Sequence, residues 1–289
     1  MLIRKIINYI FKIVLIFFKK IFYLVMPPSL LKRRSQQLIE VNLNEYNLKS
    51  YNIDKVDKNN FINLINNFKK VVNISKSELY TAIDIGANFG FYSCALSHVG
   101  FKRIYSLEPN PNIFKIMEEN FSRNNLSNII SLPYGIYNES KELALSYPAI
   151  ADEKLDKKTD KYSSGTLSLK GSGKDVIIAK FKKFKDIIVF QDLDKCDLIK
   201  IDVEGSEIEV LKEIEPILKK FKPVIIMELN NNYLNKKNFE IIKNIIIKNN
   251  YTNFLIFSDS HPKLIFNELD SFINKIFNKK IGSKDIVFF

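Results

Sequence analysis

An apolar strand that ends in an acid, turns on glycine and restarts as an apolar helix is one way for a chain to hold a nucleotide, and Thr81 to Tyr92 (TAIDIGANFGFY) has that form. Asp84 closes the strand. Gly86 and Gly90 lack a Cβ and let backbone approach a ligand closely, with Ala87 and Asn88 between them, and a helix expected from about Phe89 aims its amide donors into the same crevice. A dinucleotide fingerprint would need glycine at 86, 88 and 91, where this chain has Asn88 and Phe91. No Gly-Lys-Ser/Thr follows, so a P-loop is excluded as well. A second acidic strand end lies 24 residues further on, where Ile104-Tyr-Ser-Leu runs into Glu108 and Pro109. That is near the distance at which α/β nucleotide sites place a carboxylate that accepts from both ribose hydroxyls. The alternative role for Glu108 is an exposed acid at a helix N-terminus.

A third segment repeats the pattern. Cys196 to Glu207 (CDLIKIDVEGSE) alternates Leu198, Lys200 and Asp202 against Ile199, Ile201 and Val203, then breaks at Gly205 into a helix carrying Ile208, Leu211, Ile214 and Leu218. The three motifs, Asp84-Ile-Gly-Ala-Asn-Phe-Gly, Leu107-Glu-Pro-Asn and Ile199-Lys-Ile-Asp-Val-Glu-Gly-Ser-Glu, occur in this order within residues 78 to 230 and together closely resemble the FkbM-type S-adenosylmethionine-dependent methyltransferases. The resemblance implies S-adenosylmethionine as cofactor, with Asp84, Gly86, Ala87, Asn88, Gly90, Glu108 and Pro109 around it. It implies O-methylation, in bacteria often of sugars in surface polysaccharides or of secondary metabolites. One departure stands out: a Thr-Leu-Asp element usual in the family before the fourth core strand is replaced by Ala179-Lys-Phe-Lys-Lys-Phe-Lys-Asp, with lysine in the aspartate's place. The departure bears on substrate and not on cofactor.

Methyl transfer from a sulfonium is an in-line displacement, helped mainly by holding donor and acceptor in near-attack geometry. A sugar hydroxyl must also lose its proton, and a general base at the strand ends serves that need. Asp202 and Glu204 end the fourth core strand and are the first candidates; Lys200 and Glu228, the latter closing Pro223-Val-Ile-Ile-Met-Glu, are the second. Each has another possible role: Glu204 as an acid stabilised at a helix N-terminus, Lys200 as a structural ion pair. His98 falls near the end of a core helix and reads as structural, and His261, in a loop after a late strand, ranks below the carboxylates. A hard divalent ion held through oxygen by Asp202, Glu204 and Glu228 is the alternative, but no dense ligand motif accompanies them, so no metal is assigned.

The elements that position these residues alternate strand and helix from about Leu79 to Asn250, which predicts a parallel sheet. Tyr251 to Phe257 and Asp285 to Phe289 supply two late strands around a helical pattern at 264–279. The fold class expected is α/β, a doubly wound, mostly parallel seven-stranded sheet of the Rossmann-like class I methyltransferase type with an N-terminal helical extension; its antiparallel final pair is what the resemblance implies. The catalytic domain is placed at 78–289. An irregular insert at about 146–174, rich in charge, serine and glycine, is too long for an ordinary connection and reads as a substrate-side loop or lid, or as a disordered surface insertion. Residues 35–77 read as a helical lead-in, with Phe61, Leu64, Ile65 and Phe68 at helical spacing.

The formal net charge of +12 raises nucleic acid as a partner, and its distribution argues against one. Residues 1–34 hold eight basic residues and no acid, leaving +4 for the other 255. Within them, Arg4, Lys5, Asn8, Lys12 and Lys19 form one narrow helical stripe and isoleucine, valine and phenylalanine cover most of the rest. Every apolar run breaks at Lys12 or Lys19-Lys20 before the roughly 20 residues a spanning helix needs. Residues 1–34 are therefore read as a basic amphipathic helix and tether, in which residues 1–26 lie on an anionic membrane surface at the cytoplasmic face and Pro27-Pro28 stops the helix. A one-pass anchor, a secretory signal and a helix packed on protein are the alternatives. Two cysteines, Cys94 and Cys196, without metal or disulfide spacing fit a reducing compartment. Expected partners are a glycan or other hydroxyl-bearing acceptor and the membrane surface, without nucleic acid. The competing functions are secondary-metabolite methylation, nucleic-acid methylation and a membrane-tethered binding protein that keeps the fold without chemistry.

Overall fold

The computed structural model describes residues 39–43, 46–50, 58–75, 79–146, 168–169, 176–188, 193–230, 233–257 and 283–289. The N-terminal helix and tether, most of the insert at 146–174, His261 and the helical pattern at 264–279 lie outside the described residues. No helix among the described residues is long and apolar enough to cross a membrane.

The lead-in is only partly helical. Strands β1 (Ile39–Leu43) and β2 (Tyr46–Ser50) pair antiparallel before helix α1 (Lys58–Ser75). Apolar residues alternate through Ile39-Glu-Val-Asn-Leu, a period of two that suits a strand, whereas Phe61, Leu64, Ile65 and Phe68 keep the helical period and are buried.

Beyond α1 the chain runs β3 (Thr81–Ile85), α2 (Phe91–Val99), β4 (Arg103–Leu107), α3 (Pro111–Arg123) and β5 (Ile129–Leu132). Next come β6 (Gly135–Ile136), β7 (Lys141–Ser146), β8 (Val176–Lys182) and α4 (Phe184–Ile187). The chain continues through β9 (Leu198–Ile201), α5 (Glu207–Glu213), α6 (Glu215–Phe221), β10 (Val224–Asn230), α7 (Lys236–Lys248), β11 (Phe254–Phe257) and β12 (Ser283–Phe288). Seven strands form one sheet in the order β5-β4-β3-β9-β10-β12-β11. All its pairings are parallel except those of β12, which runs against both neighbours. The expected α/β class is present, with the reversed last strand wedged between β10 and β11. A smaller sheet in the order β6-β8-β7, absent from the sequence reading, takes up the lysine-rich segment at Ala179.

Alternation explains why both faces of the large sheet are covered. Ile83, Ile85, Ile199, Ile201, Ile225 and Met227 point to one side, packing with α5 and α7, and Ala82, Leu198, Val224, Ile226 and Val287 point to the other, packing with α1 and α2. Asp84 and Lys200 interrupt the second face. They are register partners, Lys200 stands beside Ile226, and Ile226 beside Val287. One pleat further toward the carboxyl ends, Asp202, Glu228 and Asp285 follow on the same face, Glu228 and Asp285 directly opposite each other. Order of strands therefore turns three acids from distant segments into one rim, with Asp84 a pleat below, at the point where β3 and β9 lead their connections in opposite directions.

Candidate active site

The loop after β3 is built by its neighbours as much as by its own residues. Gly86 N–H and Ala87 N–H both donate to the Leu107 carbonyl at 2.9 Å, hooking the loop onto the end of β4. Gly86, Asn88 and Gly90 all have positive φ, of 82°, 53° and 82°. Packing inside the protein is what requires the two glycines. A Cβ on Gly86 would stand 1.9 Å from the Asp202 carbonyl oxygen, and one on Gly90 would stand 2.3 Å from the Phe121 ring. Close approach to β9 and α3 is thus a requirement for these glycines in addition to the expected approach of a ligand. Helix α2 begins at Phe91, two residues later than expected.

Glu108 is buried, 8% exposed, and is not the exposed N-terminal acid of the alternative reading. Its Oε2 accepts Asn88 N–H at 2.9 Å and its Oε1 accepts Asn110 N–H at 2.8 Å, so it ties the β3 loop to the start of α3. Asn110 caps α3 by accepting Asn112 N–H at 3.0 Å, with Pro111 at the first helical position, a local arrangement readable from Glu-Pro-Asn-Pro. Burial lifts the Glu108 carboxyl to about 7, against the pull of the two amides.

Asp84 is fully buried below this loop. Its Oδ2 accepts the Ser93 hydroxyl at 2.6 Å, which also bonds Ser106 at 2.7 Å, and its Oδ1 lies 4.0 Å from Lys200 Nζ. Burial pushes the Asp84 carboxyl above the usual carboxylate range, making it a weaker acid, while Lys200 opposes the shift. Lys200 is 2% exposed, with Nζ 3.1 Å from Asp202 Oδ2 and 4.3 Å from the Tyr92 ring centre. Burial works to lower the Lys200 ammonium, and Asp202, Asp84 and Asp285 overcome it and hold it above the usual lysine range. Lys200 thus forms an ion pair with Asp202, the arrangement named as its other possible role.

Asp202, Glu204 and Glu228 converge. Each offers an oxygen, and these lie within 4.8 Å of one another. Glu204 has φ of 50° and Gly205 of 102°, a tight left-handed turn, and the Gly205 amide donates to Glu207 at 2.9 Å. The Tyr233 hydroxyl bonds Glu204, and burial followed by that carboxylate's charge holds Tyr233 well above the ordinary phenol range. Tyr92 donates to Asp285 Oδ2 at 3.2 Å and is raised likewise by burial and then by Asp285. Asp285, Tyr92, Tyr233 and Ser93 escaped the sequence reading. A signal existed only for Asp285, an acid opening the last strand. His98 is exposed near the far end of α2 from the crevice, as its sequence position suggested.

A family model described as the methyltransferase FkbM domain matches residues 84–264, from the end of β3 past β11. The chain belongs to the FkbM methyltransferase family. It is similar to the hexuronic acid methyltransferase AglP of Haloferax volcanii, 27% identical over 143 residues that make up 50% of this chain and 53% of that one. It is also similar to methyltransferase sdnD of Sordaria araneosa, 25% identical over 154 residues, 46% of this chain and 60% of that one. The chain thus spans between half and three fifths of the length of these curated relatives. A solved FkbM methyltransferase from Methylobacillus flagellatus overlaps 74% of this chain and 45% of its own at 14% identity and a TM-score of 0.46.

Residues 84–264 carry the methyltransferase domain of this family, and S-adenosylmethionine is the cofactor its resemblance implies. Its residues fit the cofactor. Each Glu108 oxygen accepts one backbone amide and keeps a further lone pair, to which two ribose hydroxyls can donate. Asn88 and Ala87 stand in the loop beside it, Pro109 follows it, and the amino end of α2 opens above Asp84.

Proposed function

We propose that this FkbM enzyme methylates a hydroxyl of a sugar, in a glycan or a lipid-linked saccharide, with Asp202 and Glu204 on the acceptor side. The convergence of Asp202, Glu204 and Glu228 on the carboxyl rim beside the cofactor loop is the observation that carries this reading. The name of the relative AglP, a hexuronic acid methyltransferase, supports the sugar class.

S-adenosylmethionine supplies a methyl group on a positively charged sulfur, which becomes a neutral thioether when the methyl leaves. The acceptor oxygen forms the new carbon–oxygen bond and gives up its proton. Asp202 is suited to take that proton: its side chain is 31% exposed, and one oxygen is held by Lys200 at 3.1 Å. Glu204 and Glu228 border the same point and can accept hydrogen bonds from neighbouring sugar hydroxyls. Glu108, 8% exposed between the β3 loop and α3, holds the ribose.

The test uses methyl-labelled S-adenosylmethionine with p-nitrophenyl glycosides of glucose, galactose, rhamnose and glucuronic acid, and with isolated lipid-linked saccharide. Asp202→Asn and Glu204→Gln should each lower turnover by roughly a hundredfold to ten-thousandfold, the range for a lost general base, and leave cofactor affinity nearly unchanged. Near-normal turnover in both variants sinks the acceptor-side assignment, and transfer only to non-sugar hydroxyls sinks the sugar class.

We also propose that residues 1–26 hold the enzyme on the cytoplasmic face of a membrane, on the strength of their basic stripe and wide apolar face.

A further inference from the structure

Ser168 connects the small sheet to the catalytic turn. It lies between β7 and β8, is 1% exposed, and its backbone pairs with Ser146 through two hydrogen bonds of 3.0 Å. The next residue, Leu169, packs against Leu145, Ala179 and Phe181, the core of the small sheet. The Ser168 hydroxyl donates to the Glu204 carbonyl at 2.5 Å. Glu204 has a left-handed φ of 50°, a conformation that a non-glycine residue keeps only where the surroundings fix it.

We propose that Ser168 is a positioning residue that locks the Asp202–Gly205 turn in its left-handed form, so that Glu204 faces the acceptor beside Asp202. Among the contacts that restrain the turn, Lys200 holds the Asp202 carboxylate, Tyr233 holds the Glu204 carboxylate, and, third, Ser168 holds the Glu204 backbone. Only the third restraint comes from outside the large sheet and its connections. Through it the small sheet, which carries the lysine-rich departure at Ala179 to Lys185, is mechanically coupled to the acceptor side. This inference rests on the acceptor-side role of Glu204 proposed above.

The experiment compares Ser168→Thr with Ser168→Val in the full chain. The two side chains have nearly the same shape, and only threonine keeps the hydroxyl. Hydrogen exchange of the peptide covering 202–207 should be faster in the valine variant than in the threonine variant. With the best glycoside from the panel, kcat should be about tenfold lower in Ser168→Val than in Ser168→Thr, with equal cofactor Kd. If the added methyl unfolds both, wild type against Ser168→Ala gives the same comparison. Equal exchange and equal kcat in the pair overturn the proposal, and so does a common loss of kcat that tracks a lowered Tm. Slow turnover in Glu204→Gln with no difference between the pair rejects Ser168 alone; normal turnover in Glu204→Gln rejects the acceptor-side reading beneath it.

Discussion

Cofactor affinity should rise with pH, and Glu108 is the reason. The carboxyl is 8% exposed and burial lifts it to about 7 in the free protein, although Asn88 N–H at 2.9 Å and Asn110 N–H at 2.8 Å both favour its charged form. Each oxygen has a further lone pair, and ribose hydroxyls donating there stabilise the carboxylate over the acid, so the bound value falls. Below about 7 the free enzyme therefore carries a proton that the complex lacks, and binding releases it. If the bound value returns to an ordinary glutamate's, affinity should increase about 30-fold from pH 5.5 to pH 8 and flatten above that. Stability of the free protein has the opposite dependence. The folded value lies above the unfolded one, so the stabilisation is full below the unfolded value and is lost as pH rises through about 7, a span of roughly 3 kcal/mol. Glu108→Gln should remove both slopes and weaken binding at pH 8 by roughly tenfold to a hundredfold, since a charged acceptor is lost. Calorimetric titration at pH 6, 7 and 8, in two buffers of different ionisation enthalpy, reads Kd and proton release together. Proton uptake, a flat wild-type Kd, or a slope that survives in Glu108→Gln would each refute the reasoning.

Gly86→Ala should lower stability by at least about 3 kcal/mol, because its Cβ would stand 1.9 Å from the Asp202 carbonyl, whereas Gly100→Ala, with φ of 109° and nothing within 4 Å, should lose only about 1–2 kcal/mol to backbone strain; comparable denaturant midpoints would refute this. Turnover should survive dialysis against EDTA, because Lys200 already supplies a positive charge 3.1 Å from Asp202; loss of turnover restored by magnesium would instead make Asp202, Glu204 and Glu228 a metal site. Vesicles containing anionic lipid should retain the full chain better than neutral vesicles, salt should weaken retention, and a joint change of Lys5, Lys12 and Lys19 to Glu should release much of it; resistance to carbonate extraction would show a spanning segment.

The nucleotide-binding half of the site was legible because its signals are local. Asp84, Gly86, Asn88 and Gly90 sit within one strand–turn–helix, and Glu108-Pro-Asn-Pro carries its own strand stop and helix cap, so propensity and period are enough to find them. The hairpin of β1 and β2 was missed because the helical spacing from Phe61 was carried back over residues whose own period is two. The small sheet was missed because β6 is two residues long and pairs with a strand some forty residues away, a contact that no local period records.

Order, spacing and chemistry of the three motifs, and with them the family and its cofactor, were determined by the sequence alone. What only the tertiary structure decided is which groups act on one another. Asp285 joins the rim because β12 enters the sheet against β10 and stands opposite Glu228, and Tyr92 reaches it from a helix 193 residues earlier in the chain. Lys200 could be a base or a counter-ion by residue type; strand order sets it beside the carboxylates of Asp84 and Asp202, which favour its ammonium against the opposing effect of burial. Gly86 was legible as a glycine turn, but the Asp202 carbonyl that would meet its Cβ at 1.9 Å comes from a strand more than a hundred residues away. Side-chain period is a property of a segment, but charge, burial and close approach are properties of pairs, and pairs exist only once strand order has brought distant segments to the same edge.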